Sequence, residues 1–215
     1  MNGSIDAIDA VVLTGDVVRS RKLSPEALDA AMAAYRRGAE AAAAWSGRDA
    51  RFQRFRGDGW QALGPDGRWA LRAALRVRAE ALSDKLADTR MGLGVGPVRL
   101  PASGDLATAE GAAPIASGAA LDALKTRHGL GLSPDAPAAQ RAAAPLCDAL
   151  SQRWKPIQAR CIALMIAPQA ERRLTQDEAA ERLDVSQQAV SKALDGAGWW
   201  AIEAALEALE SSHAA

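Results

Sequence analysis

Cysteine and histidine are scarce in this chain of 215 residues: Cys147, Cys161, His128 and His213 are all there are. No CxxC pair occurs, and a structural zinc site needs about four Cys or His ligands at short spacing, so zinc is excluded as the organiser of the fold. The two cysteines read as small buried apolar residues, in keeping with a reducing cytoplasm. Net charge is lacking as well. Twenty-six Lys and Arg balance twenty-six Asp and Glu, so binding to nucleic acid through bulk positive charge is excluded and any such contact must be local. Residues 1–10 carry two Asp and no basic cluster, unlike a secretory signal peptide. The longest strongly apolar run covers residues 161–167, far short of the roughly 20 residues that cross a bilayer. No membrane association is expected.

What is present is an ordinary globular composition, 49% apolar, with Ala-rich helical stretches between Gly-marked turns. Val11, Val12 and Leu13 form a short β-branched run closed by Thr14, Gly15 and Asp16, a buried strand that delivers Asp16 at its end. Ser24, Pro25 and Glu26 supply an N-cap, a proline at the first helical position and an acidic first turn, opening a helix to about residue 45. Gly57, Asp58 and Gly59 separate two strand-like runs, residues 51–56 and 60–63, as in a hairpin. A helix over 68–86, a Gly-interrupted strand over 91–98 and a helix over 107–125 follow. This order predicts an α+β domain with a mostly antiparallel sheet and helices on one face. Residues 133–145 are rich in Pro and Ala without periodicity and read as a linker. The expected division is residues 1–132, the linker 133–145, and an all-α domain over 146–215.

In that last domain residues 174–197 have the spacing of a DNA-reading helix-turn-helix. Residues 156–167 suit a support helix. Thr175 followed by Gln176, Asp177 and Glu178 is a capping-box start. Asp184 falls where the turn needs a left-handed backbone, and Ser186 caps the next helix. Ala180 sits where two helices cross closely, and Leu183, Val185, Val190 and Leu194 fill a small core. The exposed face then presents Ser186, Gln187, Gln188, Ser191 and Lys192. Gln pairs bidentately with adenine, and Lys reaches guanine or phosphate. A plain helical bundle used for protein contacts has the same spacing, and residues 151–197 hold seven basic residues against six acidic ones, a net of +1. One copy would therefore bind DNA weakly, and dimerisation would compensate. Trp199, Ile202, Leu206 and Leu209 lie on one face of a final helix, expected to pack on the same module.

Asp16 ends a strand and Asp58 tips a hairpin. If the strands are neighbours, the two carboxylates converge as a site for Mg²⁺ or Mn²⁺, with Arg19, Arg21, Lys22, Arg54 and Arg56 close enough in sequence to neutralise the phosphates of a nucleotide. The alternative is that both aspartates form turns beside glycine and that the arginines pair with them or with water. Spacing alone leaves the two readings open.

Residues 13–23, with Gly15 and Asp16 followed by Ser20 and basic residues, and residues 56–63, with Gly57 and Asp58 leading into Trp60, Gln61 and Leu63, together resemble the SatD family. More broadly, residues 9–125 resemble the class III nucleotide cyclase and polymerase palm fold: Gly92, Gly94 and Gly96 resemble the cyclase strand after the hairpin, and residues 104–111 and 115–121 its loop and next helix. The resemblance implies a palm-like first domain, Asp16 and Asp58 as metal ligands assisted by the Val17 carbonyl, and a homodimer. It also places Ala116 and Ala120 where cyclases carry a transition-state Asn and Arg, a loss that costs orders of magnitude in rate. No catalytic residue is assigned, and the chain is expected to be a DNA-binding regulator whose first domain dimerises, binds a nucleotide, or both; enzyme activity is left open and, if present, would be Mg²⁺- or Mn²⁺-dependent nucleotide chemistry. The alternatives are a metal-dependent nucleotidyl cyclase or transferase with an appended helix-turn-helix, and a catalytically silent palm domain kept for assembly.

Overall fold

The computed structural model describes residues 7–55, 57–169, 171 and 173–211. It is an α+β arrangement. Strand β1 (Ile8–Val17) is followed by α1 (Pro25–Ala43), β2 (Arg51–Phe55), β3 (Gly59–Leu63), α2 (Ala70–Ser83), β4 (Thr89–Val98), α3 (Ala112–Asp122) and β5 (Leu130–Leu132). Helices α4 (Ala138–Ser151), α5 (Pro156–Met165), α6 (Gln176–Leu183), α7 (Gln187–Gly196) and α8 (Trp199–Ser211) complete it. The sheet order is β2-β3-β1-β4-β5. All neighbours are antiparallel except β4 and β5.

β1 is central and buried on both faces, which is why it reads as a nearly continuous apolar run. Val11, Leu13 and Val17 join the main core. On that face Tyr35 of α1 meets Trp60 of β3 at 5.5 Å, and Phe52 stacks on Trp60 at 5.6 Å. Ala10 and Val12 face the other way, into a small cluster with Leu63, Val98, Leu106 and Ala113. Helices thus cover both faces, α1 and α2 on one and α3 on the other, which corrects the one-face expectation. The physical reason lies in β4. A Cβ on Gly92 would stand 2.2 Å from the Ser117 carbonyl oxygen, and one on Gly94 2.1 Å from that of Ala113. These glycines let the α3 backbone lie directly on the strand. Gly94→Ala should lift α3 from the sheet and lower stability by about 1–3 kcal/mol. An unchanged urea midpoint would contradict this packing.

The expected helix over 107–125 is shorter: a 3₁₀ turn, Leu106–Thr108, is capped by Asp105, and Gly111 at φ 121° separates it from α3. α1 starts as predicted, with the Ser24 hydroxyl accepting from the Ala27 N–H at 3.2 Å.

The stretch read as a linker is ordered. Residues 138–151 form α4, with Gln140, Ala144, Cys147, Asp148 and Ser151 buried. Its contact face is partly polar because Asp148 and Ser151 meet a buried arginine and Gln140 donates to the Gly67 and Arg68 carbonyls. Arg78 of α2 donates to Asp148 at 2.8 Å, Ser151 at 2.7 Å and Asp88 at 3.0 Å. The main core runs on without a break, from Leu13 and Leu93 of the sheet to Ile162, Val190, Leu194 and Leu206 of the later helices. Trp199, Ile202 and Leu206 of α8 are buried in it. A second tie fixes α8 to α2: Arg72, fully buried, donates to Glu210 at 2.6 and 3.0 Å and to the Ile166 carbonyl at 2.9 Å.

Both cysteines are free and buried, as expected. Burial, with the Asp148 charge beside it, pushes the Cys147 thiol up to about 11, and burial raises Cys161 as well. Neither should react with a disulfide reagent at pH 8 in the native protein, and both should in urea, because only the thiolate attacks. Rapid titration of the native thiols would contradict the packing. No helix among the described residues is long and apolar enough to cross a membrane.

Candidate functional site

Residues of β1 alternate between faces, so Thr14 and Asp16 share the α3 side of the sheet. Register places Thr14 between Gln61 of β3 and Gly92 of β4, and Asp16 between Gly59 and Arg90. A polar row results: Gln61 donates to the Thr14 hydroxyl at 3.1 Å, and that hydroxyl lies 2.7 Å from Ser117 of α3. The row ends at a cleft of about 380 Å³ lined by Asp16, Val17, Val18, Arg19, Asp58, Arg90, Leu124 and Thr126. A second cleft of about 490 Å³ is lined by Thr14, Phe55, Gln61, Ala107, Gly118, Leu121 and Asp122.

The two sequence-predicted aspartates therefore meet in one cleft. The Val17 N–H donates to the Asp58 carbonyl at 3.2 Å, locking the hairpin tip to the end of β1. The Asp16 backbone is equally held: its carbonyl accepts from the Thr89 hydroxyl at 2.8 Å, and that hydroxyl accepts from the Trp60 indole at 2.9 Å. The carboxylates themselves are engaged. Arg90 donates through Nε to Asp16 Oδ1 at 2.9 Å and through its terminal nitrogen to Oδ2. The Ser20 hydroxyl donates to Asp58 Oδ2. Hydrogen bonding to Asp16 raises the Arg90 pKa further, burial opposes that, and the charges of Asp16, Asp122 and Asp58 add to it. The guanidinium sits in a field of three carboxylates.

That donor set does not fit a divalent metal. Both Asp16 oxygens face a cation already, and among the described residues no group of three or more His, Cys, Asp or Glu could hold a metal ion. Of the basic residues expected at phosphates, Arg19 lines the cleft in a left-handed backbone at φ 57°, while Arg21 and Lys22 are exposed in the following 3₁₀ turn and do not line it. Arg54 turns away to Asp29 at 2.6 Å and the Gly57 carbonyl at 2.5 Å. Arg56 lies outside the described residues. Ala116 and Ala120 lie on α3 and bring no polar group. Sequence reasoning missed Arg90. Its only signal is the register, which sets it opposite Asp16 on the far side of β1 from the hairpin.

The second candidate site lies on the later helices. The Thr175 hydroxyl accepts from the Glu178 N–H at 3.2 Å, and the Glu178 carboxylate accepts from the Thr175 N–H at 2.8 Å, opening α6. Asp184 ends it in the left-handed region, φ 53° and ψ 49°. The Ser186 hydroxyl accepts from the Ala189 N–H at 3.2 Å, opening α7. Ala180, Val190 and Leu194 are buried, with Leu183 and Val185 packed against the same core. Ser186, Gln187, Gln188 and Lys192 are exposed, and Ser191 is half-buried between them. Gln187 is held by a hydrogen bond to Gln176 at 2.5 Å.

No protein-family model and no curated protein matches the chain. Among solved structures it is similar to the guanylyl cyclase Cya2, with a TM-score of 0.44 and 15% identity over 61% of this chain and 77% of that one. It is also similar to a bacterial light-regulated adenylyl cyclase, with a TM-score of 0.44 and 18% identity over 66% of this chain and 45% of that one.

Proposed function

We propose that this chain is a DNA-binding regulator that reads sequence with α7, and that its α+β part pairs two copies instead of converting a nucleotide. In this reading α6, the turn at residues 184–186 and α7 form a helix-turn-helix with α5 as its support. The observation that carries it is the polar end of α7. Ser186, Gln187, Gln188 and Lys192 stand exposed over its first turns, while Val190, Ala193 and Leu194 are buried behind them. A helix entering the major groove by its N-terminal residues needs amides and hydroxyls there, and the helix N-terminus favours phosphate. The net of +1 over residues 151–197 makes a single copy a weak binder, so a homodimer on a twofold site belongs to the proposal. Fragments of the source genome passed over immobilised protein at low salt should be enriched for a common sequence. Retention of none, or equal retention of all, would overturn the reading.

A second reading, a metal-dependent nucleotidyl cyclase or transferase, is favoured by one observation, the convergence of Asp16 and Asp58 in one cleft. The Arg90 bridge and the alanines at 116 and 120 weigh against it. Purified protein with Mg²⁺ or Mn²⁺ should turn over no nucleoside triphosphate. Turnover that Asp16→Asn abolishes would establish this second reading instead.

A further inference from the structure

We propose that Arg90 is the resident cation of the Asp16/Asp58 cleft, a metal-excluding residue that supplies from the chain itself the positive charge these carboxylates require. The inference is independent of DNA binding and goes beyond it. Its basis is geometric. Arg90 stands on β4 directly across from Asp16 in the strand register, so the sheet positions it, not a loop. Its fork meets both oxygens of Asp16, the bidentate arrangement a guanidinium favours. The acceptor is held too, through the bond from Thr89 to the Asp16 carbonyl. Asp58 is occupied by a different donor, the Ser20 hydroxyl.

Charge explains why this arrangement excludes a metal. The cations lining the cleft are Arg90 and Arg19, and its carboxylates are Asp16 and Asp58, with Asp122 close enough to act on Arg90. A divalent ion at Asp16 would either share the carboxylate with a guanidinium that cannot give up its proton or displace it. The bridge is part-exposed and weak on its own. Two carboxylates without substrate phosphates are also a weak site for Mg²⁺ or Mn²⁺. A modest competitor fixed in place is therefore sufficient to win.

Manganese binding, read from the spectrum of free Mn²⁺ by electron paramagnetic resonance, tests this without DNA and without turnover. Wild type and Asp16→Asn should bind Mn²⁺ equally poorly. Arg90→Gln should gain one site at least tenfold tighter, and adding Asp16→Asn to that variant should remove it. Arg90→Met, which keeps the stem packing, replaces Arg90→Gln if the latter melts below the assay temperature. Two results overturn the proposal: an Asp16-dependent site already present in wild type, or no gain in a folded Arg90 variant. Failure here leaves DNA binding by α7 untouched, and loss of DNA binding leaves this result standing.

Discussion

Replacing Asp148 by alanine is expected to cost the fold about 3–5 kcal/mol, as removal of one partner from a buried ion pair does. Arg78 and Asp148 are 0% and 2% exposed. One Asp148 oxygen accepts from Arg78 and the other from the Gly129 N–H at 2.9 Å. Gly129 in turn leads into β5, and its carbonyl accepts from the Met91 N–H at 2.8 Å. A single carboxylate therefore joins α2, α4 and the start of β5. The substitution leaves a guanidinium that cannot be deprotonated and an N–H without its acceptor. Asp88 and Ser151 stay as partners of Arg78, which puts the loss near the lower end of the range. A fall in Tm of roughly 10 °C follows for a chain of this size. Unchanged thermal unfolding would mean that α4 does not dock on α2 as described.

Glu210→Ala should be as damaging and more local. Arg72 is fully buried, and Glu210 supplies two of its three acceptors, leaving the Ile166 carbonyl alone. The expected loss is again about 3–5 kcal/mol. Because this pair ties α8 to α2, the first consequence should be release of α8 and, with it, the Trp199, Ile202 and Leu206 contacts. Limited proteolysis should cut the variant near α8 before the sheet is touched. Arg72→Met combined with Glu210→Leu removes both charges and should recover most of the loss, since apolar replacements of a whole buried pair are often neutral or better. Equal damage in the single and double variants would show that packing, not the unpaired charge, sets the cost.

Elements whose signal is local were legible in the sequence. β1, the hairpin at residues 57–59, the Ser24 and Thr175 caps and the left-handed Asp184 are each dictated by a few neighbouring residues. Those that depend on distant partners were not. α4 hides behind Ala and Pro because the side chains it buries include Gln140, Asp148 and Ser151, polar residues that pattern reading assigns to solvent; Arg78 accounts for Asp148 and Ser151, and the Gly67 and Arg68 carbonyls for Gln140. β5 is three residues long and pairs parallel with the far edge of β4, a fact no local window contains. At the cleft, the sequence offered convergence of Asp16 and Asp58 as one of two open readings and had no means to see Arg90, whose role exists only through the β1–β4 register.

The most direct test of DNA reading by α7 is the affinity of wild type and of the variant carrying Gln187→Ala with Gln188→Ala, each measured on the enriched sequence and on a scrambled one. A bidentate base contact discriminates by about 1–3 kcal/mol. The variant should therefore lose tenfold or more on the enriched sequence and bind the scrambled one as wild type does. Identical affinities of the two proteins on both sequences would contradict the account.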